Sequence, residues 1–281
     1  MNYLQAINYS NNLLKKINQN YSNLDSELIL AKVLNLSREK ILINLNKKIY
    51  KEEFKKFSLL LKRRMSNEPI AYILNEKNFW KYKFYVNEYV LIPRPETELI
   101  IEEFIKLVDF SKSKRLLDIG TGSGCLIISL IKERPKCYAK AIDISKKAIK
   151  IAEINAKMHH IRNKIGFVNI NVDKFKDSKY DVIVSNPPYI KKFSLKRLEN
   201  DIRSFEPHIA LEAGVDGFRE IKKIIIKSKK LLKINGKLIF EIGDKQVEYS
   251  KYLLMVNGFY INKVCKDIRS IPRVIISTKI I

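Results

Sequence analysis

The chain has 281 residues, 46% of them hydrophobic, enough for one large or two modest domains with a buried core. No run reaches the ~18 consecutive apolar residues of a membrane span, the polar start is not a signal peptide, and Cys125, Cys137 and Cys265 form no CxxC pair, so a cytoplasmic protein without a membrane, disulfide or metal framework is expected. The balance of 54 basic against 30 acidic residues, net +24, favours nucleic acid or a ribonucleoprotein as partner, but a Lys-, Ile- and Asn-rich composition throughout explains it equally well, which leaves direct nucleic-acid binding open.

Residues 1–75 contain almost no Gly or Pro and space their apolar side chains helically. Leu4, Ile7, Leu14 and Ile17 can share a face, as can Leu24, Leu28, Ala31 and Leu34, with Leu30 and Val33 widening that stripe and Asp25 favoured near a helix start. Phe54, Phe57, Leu60, Leu61 and Met65 form a third set, and together these predict a small helical bundle that could grip a macromolecule. In 76–95, aromatic and β-branched residues alternate around Asn87-Glu88, predicting a β-hairpin linker. Thr97 is expected to cap the helix carrying Leu99 to Val108, with Glu98 in its first turn.

The remainder, 96–281, reads as an α/β domain. A strand over 115–119 leads into Gly120-Thr-Gly-Ser-Gly124 and an apolar helix, so the backbone can turn tightly beside a ligand at a helix N-terminus. Cys125 stands where a dinucleotide fingerprint wants its third glycine, and no Gly-Lys-Ser/Thr follows to make a P-loop. The pattern fits S-adenosylmethionine instead, a ligand whose charge is a sulfonium. Asp118 at the strand tip then faces its methionine portion, Asp143 after strand 138–142 its ribose, and Asp173, Lys174 and Phe175 after strand 166–172 the adenine edge and face. The plainer alternative for Asp143 is a helix N-cap.

Asp181-Val-Ile-Val-Ser-Asn-Pro-Pro-Tyr189 is the stretch around which the rest is organised. Its strand must stop at Ser185-Asn186, because Pro187 and Pro188 have fixed φ and no N–H to give a ladder. Asn186, the Pro187 carbonyl and Tyr189 are expected at the crevice outside the strand ends. An amide oxygen and a freed carbonyl in a stiff frame suit a planar NH₂ group, and Tyr189 adds an aromatic face. Beyond it, Lys191 to Asp201 reads as a mobile loop over the site, Gly214-Val-Asp-Gly217 as a turn, and helices alternating with strands 237–242, 258–264 and 273–278 as a mixed sheet with an antiparallel edge.

Over nearly its whole length the chain resembles the S-adenosylmethionine-dependent methyltransferases that modify the glutamine of the Gly-Gly-Gln motif in peptide chain release factors. The marks are Arg63-Arg64 with Glu68-Pro-Ile-Ala-Tyr72, Phe79-Trp80, Val90-Leu-Ile-Pro-Arg-Pro-Glu-Thr-Glu98, Asp118-Ile-Gly-Thr-Gly-Ser-Gly124, Ser185-Asn-Pro-Pro-Tyr189 and Phe205-Glu-Pro207 with Ala210-Leu211. Asn-Pro-Pro-Tyr alone also occurs in enzymes that methylate adenine or cytosine amino groups. The resemblance implies a Rossmann-like class I methyltransferase domain behind an N-terminal helical substrate-recognition domain, with class I release factors as protein substrate. It implies that Asn186 and the Pro187 carbonyl hold the glutamine amide, with Tyr189 as a third catalytic member and Pro188, Arg94, Glu96, Phe205 and Glu206 lining the substrate side. Gly120, Thr121, Gly122, Gly124, Asp118, Asp143, Asp173 and Asn186 would border the cofactor. Lys174 departs from the family, which often has an aromatic residue there, so adenine stacking would lean on Phe175. Methylation of a ribosomal-protein glutamine, N6-adenine methylation of nucleic acid, and a basic binding module that retains only the fold are the competing readings.

Overall fold

In the computed structural model, which describes residues 1–17 and 21–280, the chain separates into two compact units. Met1–Glu76 and the short segment Glu199–Phe205 form one, and Lys77–Leu198 with Glu206–Ile281 form the other.

The first unit is helical: α1 (Tyr3–Lys16), α2 (Ser22–Leu34), α3 (Arg38–Leu42), α4 (Lys51–Met65) and α5 (Ile70–Leu74). Its core gathers Ile7, Leu14, Ile29, Leu30, Phe57, Leu61 and Ile73. The buried faces are rotated from the apolar stripes read in the sequence: Leu4 and Leu24 are exposed, while Tyr3, Ala6, Ser22, Asp25, Ser26 and Glu27 are buried. The polar members are accommodated because each has a partner. Ser26 donates to the Ser22 carbonyl and Ser22 to Asn11. Asp25 stands in the first turn of α2, as expected, and in addition accepts Nε of buried Arg64 at 2.7 Å, while Glu27 pairs with Arg38 at 2.5 Å.

The second unit starts with a two-stranded hairpin, β1 (Lys77–Phe79) and β2 (Tyr82–Phe84). Its turn is at Trp80-Lys81, not Asn87-Glu88. Trp80 holds φ 56°, with its backbone N–H on Glu98 at 2.7 Å and its indole N–H on Glu133 at 2.9 Å. Asn87 makes a separate turn by accepting the Tyr89 N–H on its side chain.

There follow α6 (Glu98–Leu107), β3 (Arg115–Ile119), α7 (Cys125–Glu133), β4 (Tyr138–Asp143), α8 (Lys146–Met158), β5 (Ile165–Asn169) and β6 (Tyr180–Ser185). After α9 (Asn200–Phe205) come α10 (Arg219–Leu231), β7 (Leu232–Glu241), α11 (Val247–Val256), β8 (Phe259–Lys266) and β9 (Pro272–Lys279). The sheet order is β5-β4-β3-β6-β7-β9-β8, with β5 to β7 parallel and β9 antiparallel to both of its neighbours. Successive strand residues enter opposite cores. Leu116, Val182 and Ile239 pack with Ile101 and Phe104 of α6 and Ile127 of α7, whereas Leu117, Ile183 and Leu238 pack with Ile221 and Ile225 of α10 and Leu254 of α11. The stretch read as a loop over 191–201 is instead ordered as a 3₁₀ segment, Lys192–Arg197, followed by α9. Among the described residues, no helix is long and apolar enough to cross a membrane and no cluster of His, Cys, Asp or Glu could hold a metal.

Candidate active site

The strand order reverses at β3: the chain goes outward through β4 and β5, then returns to place β6 on the other side. A crevice opens at such a switch point, because the loops leaving the two central strands diverge. Ile119 and Ser185 are in register across β3 and β6, and the Ser185 hydroxyl donates to the Ile119 carbonyl at 2.7 Å. Gly120 and Asn186, the next residue of each chain segment, therefore emerge side by side. They line one cavity of about 470 Å³.

One half of this cavity is built by the glycine loop. Gly120, Gly122 and Gly124 have φ of 76°, 56° and 79°, the left-handed region that a side chain resists. A Cβ on Gly120 or Gly122 would meet nothing within 4 Å, so their backbone borders open space, whereas on Gly124 it would meet Ala152 and Ile128 at 3.1 Å. The first two glycines thus leave room for a ligand to approach the backbone, and the third serves helix packing. Asp143 ties the loop down: its carboxylate accepts the N–H of Gly122 at 2.9 Å and that of Ser145 at 2.8 Å. The helix cap is Ser145, which accepts the Ala148 N–H. Asp143 therefore lines the cavity with its oxygens already oriented, and burial holds its pKa above the ordinary carboxylate value.

Asp118 is 1% exposed and its Oδ2 is buried with no hydrogen-bond partner, as is the Thr121 hydroxyl. Burial, with the negative Asp143 adding to it, pushes the Asp118 carboxyl up to about 7. Cys125 also lines the cavity, but burial raises its thiol to about 12 and keeps it neutral. Beyond β5 the wall is Ile170, Asn171 and Val172. Asp173 and Lys174, placed at the adenine by the sequence, are exposed and outside the lining, and Phe175 turns inward to pack against Tyr180 in the core. An aromatic, buried side chain next to two polar ones follows the core, not the ligand.

The other half is the Asn186 turn. Asn186, Pro187 and Pro188 line the cavity, with Leu91, Pro93 and Arg94 facing them from the segment before α6. Asn186 donates Nδ2–H to the Thr97 hydroxyl at 2.8 Å, and Thr97 donates to Oε2 of Glu241 at 2.5 Å. Thr97 makes no helix-capping bond. Tyr189 is off the cavity wall: its ring lies against Gly243, where a Cβ would meet it at 2.9 Å, and its hydroxyl bonds Glu241. Of the remaining predicted substrate-side residues, Arg94 lines the cavity and is paired at 2.5 Å with Glu206, which is 4% exposed and also accepts the Ile92 N–H. Glu96 faces Arg269 at 3.7 Å, and Phe205 ends α9 within the helical unit, so neither lines the cavity. Glu241 escaped the sequence reading, although its position as a lone acid at the end of an apolar strand run was the signal.

An α/β sheet with a glycine loop after its first parallel strand, acids at the ends of the first two and an Asn-Pro-Pro-Tyr turn at the switch point defines a class I methyltransferase. The comparisons agree: the Methyltransferase small domain family matches residues 95–200, and the PrmC N-terminal domain family matches residues 5–74. The chain is 37% identical to the release factor glutamine methyltransferase of Coxiella burnetii over 91% of each chain, and 34% identical to that of Thermodesulfovibrio yellowstonii, covering 91% of this chain and 92% of that one. It belongs to the release factor glutamine methyltransferase family. It is also 39% identical to a bifunctional methyltransferase of Rickettsia typhi, matched over 96% of this chain but only 56% of that protein, so it spans little more than half the length of that relative. Among solved structures, a methyltransferase from Pyrococcus furiosus shares the fold, with TM-score 0.54, 18% identity and coverage of 80% of this chain and all of that one.

The methyl donor of this class is S-adenosylmethionine, and the cavity residues fit it. An orphaned buried carboxyl oxygen at Asp118 awaits a cationic donor, Asp143 offers acceptors to hydroxyls, and Ile142, Ile144, Ile170 and Val172 supply apolar flanks for a planar ring. The carboxyl of Asp118, buried beside the glycine loop, is the wrong charge for a pyrophosphate.

Proposed function

We propose that the protein transfers a methyl group from S-adenosylmethionine to the side-chain amide nitrogen of the glutamine in the Gly-Gly-Gln motif of class I peptide chain release factors, in the cytoplasm. The observation that carries the reading is the orientation of Asn186: with its NH₂ committed to Thr97, its oxygen is left for the cavity, which Pro187 also lines and where its carbonyl would be the second acceptor. When bound, the cofactor supplies a methyl group activated on a sulfonium. The chain's own residues do the rest by binding and orienting.

An amide nitrogen is a poor nucleophile because its lone pair is delocalised into the carbonyl. Two acceptors on its two N–H bonds favour a pyramidal nitrogen and stabilise the positive charge it gains. Preorganised groups of this kind are typically worth ~3 kcal/mol each. Pro187 and Pro188 stiffen the frame, so little reorganisation is needed. No general base is required, since the surplus proton can leave once the nitrogen is charged. The apolar walls and half-buried Arg94, held by buried Glu206, limit water at the amide. The helical unit is the candidate grip on the release factor outside its glutamine loop, in line with its likeness to the PrmC N-terminal domain.

Incubation with labelled cofactor and a release factor tests this directly. Label on the Gly-Gly-Gln glutamine, lost on its replacement by alanine, is the expected result. Label that survives the replacement, or transfer to DNA or RNA alone, would overturn it.

A further inference from the structure

We propose that Thr97 and Glu241 are positioning residues that set which end of the Asn186 carboxamide meets the substrate. The inference rests on the glutamine-amide reading above and adds to it the device that makes Asn186 an acceptor.

The two ends of a carboxamide have nearly the same shape, so packing alone cannot choose between them; only hydrogen-bond partners can. Reversed, Asn186 would turn its own N–H bonds toward those of the incoming amide, donor against donor. The Thr97 hydroxyl has a single hydrogen, and Glu241, 1% exposed at the end of β7, takes it at 2.5 Å. Only lone pairs remain for Asn186, and the contact of 2.8 Å from its nitrogen fits that polarity. Tyr189 donates to the same carboxylate from the other side of the turn. The direction of the chain of bonds, Asn186 to Thr97 to Glu241, is therefore fixed by Glu241 being an acceptor. A protonated Glu241 can instead donate to Thr97, which frees the threonine hydrogen for the Asn186 oxygen and permits the reversed amide.

Such a device responds to pH. Glu241 is faced by Thr97 and Glu96 from the turn before α6, by Tyr189 after β6 and by Arg273 of β9, itself paired with Asp267 at 3.0 Å. Burial dominates this set and pushes the carboxyl up to about 7. Its acceptor state is present above that value and lost as pH falls through it.

The test uses the full chain, a Gly-Gly-Gln peptide and saturating cofactor. Thr97→Val keeps the shape and removes the hydroxyl; its kcat should fall ~10-fold or more with cofactor affinity unchanged by calorimetry, and Thr97→Ser should restore most of it. The wild-type kcat should decline below about pH 7 and the Glu241→Gln variant should lose that limb. Wild-type turnover in Thr97→Val, a Thr97→Ser variant as impaired as Thr97→Val, or an acid limb that survives Glu241→Gln would each overturn the inference. If Thr97→Val does not fold, the other two variants decide. A wild-type protein that leaves the peptide unlabelled instead removes the underlying reaction, so the two failures are told apart.

Discussion

The carboxylate of Asp143 accepts the backbone N–H of Gly122 at 2.9 Å, which locks the end of β4 to the loop that leaves β3. The residue thereby shapes the glycine loop and presents acceptors to the cavity at once. Asp143→Ala should weaken cofactor binding ~10- to 100-fold, since it removes a ligand contact and leaves a loop N–H without its partner. Calorimetric titration checks this, with kcat at saturating cofactor changing far less.

Asn186→Ala should lower kcat ~10²-fold or more while cofactor affinity barely moves, because one preorganised acceptor is lost from the developing charge and none from the cofactor. Asn186→Asp keeps an acceptor but places a second carboxylate within reach of the Thr97–Glu241 pair, and should be nearly as poor. Single-turnover rates with a Gly-Gly-Gln peptide separate the chemical step from binding.

Asp118 links the cofactor to pH. Its carboxyl is pushed up to about 7, so it is mostly neutral at pH 6, while a cationic ligand group beside it favours the charged form. Binding should therefore release protons near pH 6.5 and tighten as pH rises through 7. In the free protein the sign is opposite: a raised carboxyl pKa contributes stability below the unfolded value, and this is lost as pH climbs through 7. Asp118→Asn should abolish the binding trend, seen by calorimetry in buffers of different ionisation enthalpy, and should lessen the fall in Tm between pH 6 and 8, leaving the part that buried Glu241 contributes.

Gly243 lies against the Tyr189 ring. Gly243→Ala places a Cβ 2.9 Å from that ring and 3.0 Å from Gln246 Oε1, so one neighbour must shift. A displaced Tyr189 withdraws its hydroxyl from Glu241, and kcat should fall ~10-fold with cofactor binding intact. A variant with wild-type kcat would show that the turn tolerates the shift.

In the helical unit, Arg64→Leu should destabilise by about 3–5 kcal/mol, because it strands the buried Asp25 carboxylate. The double change Asp25→Leu with Arg64→Leu should recover much of the loss. Urea unfolding of both variants checks it.

Where physics acts locally, the sequence was readable. Pro187 and Pro188 end β6 by themselves, and glycines at 120, 122 and 124 announce a loop whose φ values only they adopt easily. Long-range partners were not readable. Thr97 has the composition of a helix cap, but Glu241, distant in sequence, claims its hydroxyl. Asp25 stands in the first turn of α2 as its sequence position suggests, but nothing local announces that Arg64, 39 residues on, pairs with it. Phe175 and Tyr189 each carry a ring that could serve a ligand or a core, and only the third dimension shows both turned away from the cavity. The hairpin was foreseen and its turn misplaced, because Asn87-Glu88 has turn chemistry whereas Trp80 reaches a positive φ through bonds to Glu98 and Glu133.

Strand β9 lies between β7 and β8 although it follows both along the chain. A nascent polypeptide thus carries the apolar edge Leu238–Glu241 unpaired until residues 272–279 have been synthesised and can slot in. Its window of greatest exposure to aggregation and to chaperones lies between the synthesis of β7 and that of β9, after every cavity-lining residue has already been joined to the chain.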